Sequence, residues 1–138
     1  MNRNPALALG VAATLAAAFL WHGPGGAADR FTATAERTMR LTLDHYEMPV
    51  IAARLQRAPL TRTLRFDGPA DAFQRSEILR IGGEVPGVAA TAWAGRPAPR
   101  AMPLLVEVML IALACFAIGA ILAYIAALRR RARDEIYR

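Results

Sequence analysis

The sequence predicts an α+β protein in which two transmembrane helices flank a small extramembrane domain of order αββαβ. Three observations carry that expectation: an uncharged apolar stretch near each end, a middle segment whose hydrophobic period switches between helix and strand, and an arginine cluster directly after the second stretch. Hydrophobic residues make up 55% of the 138 residues and the mean hydropathy is +0.26, above the usual share for a soluble domain. The excess lies in Asn4 to Ala28, 25 residues without a formal charge, and Val108 to Leu128, 21 residues without one. At 1.5 Å per residue each can cross about 30 Å of hydrocarbon. What remains, Asp29 to Arg100, is 72 residues, enough for one small domain and too few for a large enzyme core. The expected division is residues 1–28 (membrane span or signal-anchor), 29–94 (periplasmic domain), 95–103 (Pro-containing linker), 104–128 (second transmembrane helix) and 129–138 (basic cytoplasmic tail).

The first span opens on a short basic n-region, Met1-Asn2-Arg3. Its apolar run, Pro5 to Trp21, is 17 residues long, more than a typical signal-peptide core, and reads as an uncleaved signal-anchor. Gly26-Ala27-Ala28 is the alternative, a small-residue signal-peptidase site. Trp21 and His22 suit the interfacial belt. Small residues recur along this span (Ala6, Ala8, Gly10, Ala12, Ala13, Ala16, Ala17, Ala18), which suits it to pack on the second span or on a neighbouring protein.

In the middle segment, Phe31, Ala35, Met39, Leu43 and Tyr46 recur every three or four residues and predict a helix over 29–46, ended by Pro49. Val50–Leu55 and Leu60–Phe66 alternate as short strands, joined by a turn at Ala58-Pro59. Asp71 and Gln74 form a reciprocal capping pair at the start of a helix expected to run to about Arg80. Gly82-Gly83 breaks it, Pro86-Gly87 turns the chain, and Val88–Trp93 is the last strand. Gly95-Arg96-Pro97-Ala98-Pro99-Arg100 then leads to the membrane.

The second span is followed by Arg129, Arg130, Arg131 and Arg133, which by the positive-inside rule places the C-terminus in the cytoplasm and the middle domain on the opposite side. On a helical projection Ala112, Cys115, Gly119, Ala123 and Ala126 fall within an arc of about 80°, opposite Leu110, Ile121, Ile125 and Leu128. A face of small residues lets helix backbones approach closely in lipid and is the expected helix-packing interface. Glu107, at the outer mouth, reads as a carboxylate favoured by the helix dipole rather than as a proton relay.

All 17 basic residues are arginine, a pattern of coding bias rather than of a nucleic-acid surface, and the charge clusters beside an apolar span. No nucleic-acid partner is expected. Catalytic parts are sparse. The middle has no cysteine, one histidine (His45), Ser76 and several threonines, and no cluster at metal-ligand spacing, so no enzyme activity, metal or small-molecule substrate is expected. Asp44-His45-Tyr46-Glu47 reads as a helix end. Cys115, the single cysteine, cannot form an intrachain disulfide. Ala18-Phe19-Leu20-Trp21-His22 resembles the A-x-x-x-H pattern with which bacterial light-harvesting polypeptides present a histidine to bacteriochlorophyll. His22 nevertheless stands at the end of its span before Gly23-Pro24-Gly25-Gly26, so it is expected as an interfacial histidine and no cofactor is assigned.

Leu64-Arg65-Phe66-Asp67-Gly68-Pro69-Ala70, a helix, then Val85-Pro86-Gly87-Val88 before a strand resembles the BON domain, a small αββαβ module of bacterial envelope proteins. Gly68 and Gly87 correspond to its two glycine turns, and the resemblance covers about 60 residues, Thr34 to Trp93. BON-like modules also follow the N-terminal anchor of OmpA-family proteins, ahead of a peptidoglycan-binding domain. Here a second span stands in that place, which puts cell-wall binding in doubt. The resemblance implies a non-catalytic module that contacts membranes, lipids or other envelope proteins. Two functions follow as expectations. One is an accessory subunit of a bacterial inner-membrane complex, respiratory or photosynthetic, docked through its spans and its periplasmic module. The other is a self-standing envelope protein whose module binds lipid or a periplasmic partner.

Overall fold

The computed structural model describes residues 5–136. The n-region Met1-Asn2-Arg3 and the last tail residues, Tyr137 and Arg138, lie outside them. Four helices and three strands follow one another as α1 (Pro5–His22), α2 (Ala27–His45), β1 (Ala52–Arg57), β2 (Leu60–Asp67), α3 (Ala72–Gly83), β3 (Ala90–Trp93) and α4 (Leu104–Ile136). The protein is thus α+β, and α1 and α4 are both long and apolar enough to cross a membrane.

Between them, α2 to β3 run in the order αββαβ. The sheet order is β1-β2-β3, with β1 antiparallel and β3 parallel to the central β2. Opposed pairs Leu55 with Leu64 and Ala53 with Phe66 put the alternating apolar residues of both strands on one face. That face meets Ala35, Met39 and Leu43 of α2 and Ile78 of α3 to form the core. Phe66, fully buried, stacks on Trp93 with ring centroids 6.1 Å apart. Phe31 packs at the rim of this core, whereas Tyr46 is exposed and serves as the C-cap of α2.

Several boundaries differ from expectation for identifiable reasons. Strand β1 begins at Ala52, because Val50 stays exposed and only Ile51 turns inward from the preceding loop. Helix α3 continues through Gly82 and Gly83 rather than breaking there. A Cβ at Gly82 would stand 2.5 Å from Phe66 Cζ, so the missing side chain makes room for the core ring instead of ending the helix. Strand β3 begins at Ala90, since Val88 and Ala89 are still leaving the turn at Gly87. The expected basic tail is no separate segment over its described length, because α4 runs unbroken from Leu104 to Ile136.

The capping pair forms as read: Gln74 N–H donates to Asp71 Oδ1 at 2.8 Å and Asp71 N–H donates to Gln74 Oε1 at 3.1 Å. Both turn glycines take positive φ, +138° at Gly68 and +87° at Gly87. At Gly87 a side chain would also meet Phe31, whose Cε2 lies 2.5 Å from the Cβ position.

Candidate docking surfaces

The two apolar helices α1 and α4 form an antiparallel hairpin. Gly10 of α1 lies against Phe116 of α4, close enough that a Cβ at position 10 would be 2.8 Å from the ring. Nearer the domain, Thr14, Ala18 and Trp21 share a groove with Val108, Ala112 and Cys115. Gly10, Thr14, Ala18 and His22 recur every four residues and, with Val11 and Leu15 beside them, are the less exposed positions of α1. Helix α1 therefore supplies a small-residue face of its own, and it packs on α4. Thr14 does not make the contact polar, because its hydroxyl donates to the Gly10 carbonyl at 2.8 Å.

On α4, Leu105, Met109, Ala112, Phe116 and Ala120 are among the half-buried positions, flanked by Val108 and Leu113, and mark the face turned to α1. At 100° per residue that face is rotated by about 60° from the centre of the stripe Ala112, Cys115, Gly119, Ala123 and Ala126. The first helix thus lies beside the stripe and covers only its edge. Ala112 and Cys115 line the groove shared with α1. Gly119, Ala123 and Ala126 are exposed, and a Cβ added at Gly119 would meet nothing within 4 Å. Below them Arg129, Arg130, Arg131 and Arg133 are exposed on the continuing helix.

His22 belongs to the packed face and is 9% exposed. Trp21, its neighbour, is 66% exposed, with the Arg30 guanidinium 5.6 Å above its ring. Among the described residues no group of three or more His, Cys, Asp or Glu is placed to hold a metal ion.

The domain is tied to the hairpin at the start of β2. Thr61 pairs with Pro103, the residue before α4. Next to it Arg62 Nε lies 3.3 Å from Glu107 Oε2, an ion pair whose geometry is not that of an aligned hydrogen bond. Glu107 therefore has a partner beyond the helix dipole. Sequence reading missed Arg62, 45 positions away, and no local pattern announces it. It also missed Glu36, which accepts Leu55 N–H at 2.9 Å and pairs with Arg57 at 3.0 Å, so that a charged side chain of α2 occupies the edge of β1. Arg40 was a third omission: it donates to the carbonyls of Ile51 and Met48 and pairs with Asp44, pinning the loop between α2 and β1. On α3 the Arg80 pKa is raised, first by its hydrogen bond to Glu77 and then by the charges of Glu77 and Glu84, which leaves an already permanent cation unchanged.

Comparison with known proteins finds no matching family model, no matching curated protein and no matching solved structure.

Proposed function

We propose that this chain is a non-enzymatic accessory subunit of a bacterial inner-membrane complex, respiratory or photosynthetic, with its middle domain periplasmic and its C-terminus cytoplasmic. The observation that carries the reading is the position of α1 beside the small stripe of α4. Gly119, Ala123 and Ala126 are left open on an apolar helix, where a partner helix can approach closely and gain dispersion contacts that bulky side chains would block. The orientation rests on the arginines at 129, 130, 131 and 133. Blue-native electrophoresis of the membrane fraction tests it. The wild-type chain should migrate in a large complex, and a Gly119→Leu/Ala123→Leu variant, still apolar and still inserted, should leave that complex. A double variant that co-migrates with the complex removes the stripe as the docking face.

The alternative is a self-standing envelope protein whose BON-like module binds lipid or a periplasmic partner. It is favoured by the αββαβ order of the domain and by the positive φ at both glycines on which the resemblance rests. Migration of the wild-type chain alone would make this the better reading.

A further inference from the structure

Near the domain, the two helices leave a shallow, open groove of about 560 Å³ along the flank of their contact, above the open lower stripe. Its walls are Ala17 and Ala18 of α1 and Val108, Ile111, Ala112 and Cys115 of α4, and aromatic rings stand towards its ends, Trp21 by the domain and Phe116 deeper along the helices. From Val108 to Phe116 it covers about 12 Å of helix axis, little more than two turns. That is short for a second helix, which would lie along the whole span, and it suits a flexible hydrocarbon chain. Thr14, which also lines it, has spent its hydroxyl on the Gly10 carbonyl, so the wall is apolar in effect.

The upper end is different in charge. Arg30 stands over the Trp21 ring and makes no ion pair among the described residues. An apolar slot that ends at an amphipathic ring and an unpaired guanidinium is complementary to one molecule with an acyl chain and an anionic head. We infer that this groove holds a phospholipid of the leaflet next to the domain, with one acyl chain between α1 and α4 and its phosphate at Arg30. The inference rests on the membrane-spanning reading of the hairpin and is separate from docking through Gly119 and Ala123.

The test is native mass spectrometry of the full chain released from mild-detergent micelles, with phosphatidylglycerol and phosphatidylethanolamine offered in equal amounts. The wild type should retain one phospholipid per chain, with the anionic lipid preferred. Arg30→Gln, at an exposed position, should lower retention of phosphatidylglycerol by about fivefold, the effect of one arginine at a membrane surface. Ala17→Leu/Cys115→Leu fills the slot from two exposed positions and should abolish retention of both lipids while far-ultraviolet circular dichroism stays unchanged. Retention unaffected by the filled slot, or a wild-type spectrum showing a protein dimer without lipid, overturns the proposal. Alkaline carbonate extraction separates this failure from that of its premise. A chain released by carbonate never spanned the bilayer and both readings fall, whereas a chain that stays embedded without retained lipid overturns the lipid site alone.

Discussion

Gly82 and Gly83 are neighbours at the end of one helix, and the structure predicts opposite outcomes for the same substitution at the two positions. Alanine stabilises a helix over glycine by about 0.5–1 kcal/mol, chiefly by restricting the unfolded chain. At Gly83 a Cβ meets nothing within 4 Å, so Gly83→Ala should keep most of that gain. At Gly82 the new methyl would stand 2.5 Å from Phe66 Cζ, 2.8 Å from Cε2 and 3.2 Å from Thr91 Cγ2. Phe66 has no room to yield, being fully buried and stacked on Trp93. Overpacking of about 1–3 kcal/mol then exceeds the helix gain, and Gly82→Ala should destabilise the domain by about 1–2 kcal/mol. In a domain of this size that lowers the melting temperature by roughly 5–10 °C, while Gly83→Ala raises it by a few degrees. The assay is thermal unfolding of the full chain in detergent, followed by Trp93 fluorescence in a Trp21→Phe background. Shifts of the same sign in both variants would refute the placement of α3 over Phe66.

Gly87→Val should destabilise the domain by about 1 kcal/mol or more, because it combines positive φ with contact on the Phe31 ring; the same melt measures it, and an unchanged midpoint would remove that turn. Asp71→Ala removes half of the capping box and should lower stability by about 1 kcal/mol, with the loss concentrated in faster amide exchange over the first turn of α3. Reporter fusions after Gly95 and after Arg138 should report opposite compartments, the first outside the cytoplasm and the second within it; equal activity at both would contradict the orientation read from the arginine cluster.

What was legible in the sequence was local. The capping pair at Asp71 and Gln74, the positive φ at Gly68 and Gly87, and the apolar period of α2 from Phe31 to Leu43 each depend on residues within a few turns of one another and are found where they were read, whereas Tyr46, read on the same face, is the exposed cap of the helix. Where the reading failed, a distant contact overrode a local preference. A Gly-Gly pair is a helix breaker by propensity, yet α3 continues through Gly82, where the absence of a side chain leaves room for a ring from β2. Glu107 was assigned to the helix dipole because its partner Arg62 is brought close only by the return of the linker to the sheet. The small stripe of α4 was read as one packing surface. Its division into a grooved upper half and an open lower half depends on where α1 lies, which the composition of α4 does not encode. The packed stripe of α1, by contrast, was present in the spacing of Gly10, Thr14 and Ala18 and was obscured by the alanines around it.

The junction bears on how docking in the membrane would reach the domain. A Pro-containing linker alone would hold the domain at a distance and leave its orientation loose. Here the linker does not act alone: Arg65 reaches the Arg96 carbonyl at 3.5 Å at one end, and Pro103 pairs with Thr61 at the other, so the segment lies back along β2 before α4 begins. The Arg62–Glu107 pair is partly solvated and contributes at most about 1 kcal/mol, too little to set the geometry. Orientation must therefore come from the backbone pairing together with the tight Gly23–Gly26 turn on the other side, where Gly25 N–H meets the Leu20 carbonyl at 2.6 Å and Gly26 N–H the Gly23 carbonyl at 2.8 Å. With α1 and α4 packed on each other, each is joined to the domain by a short segment held by backbone contacts. A partner helix seated on Gly119 and Ala123 would then also determine which face of the domain its extramembrane portion meets.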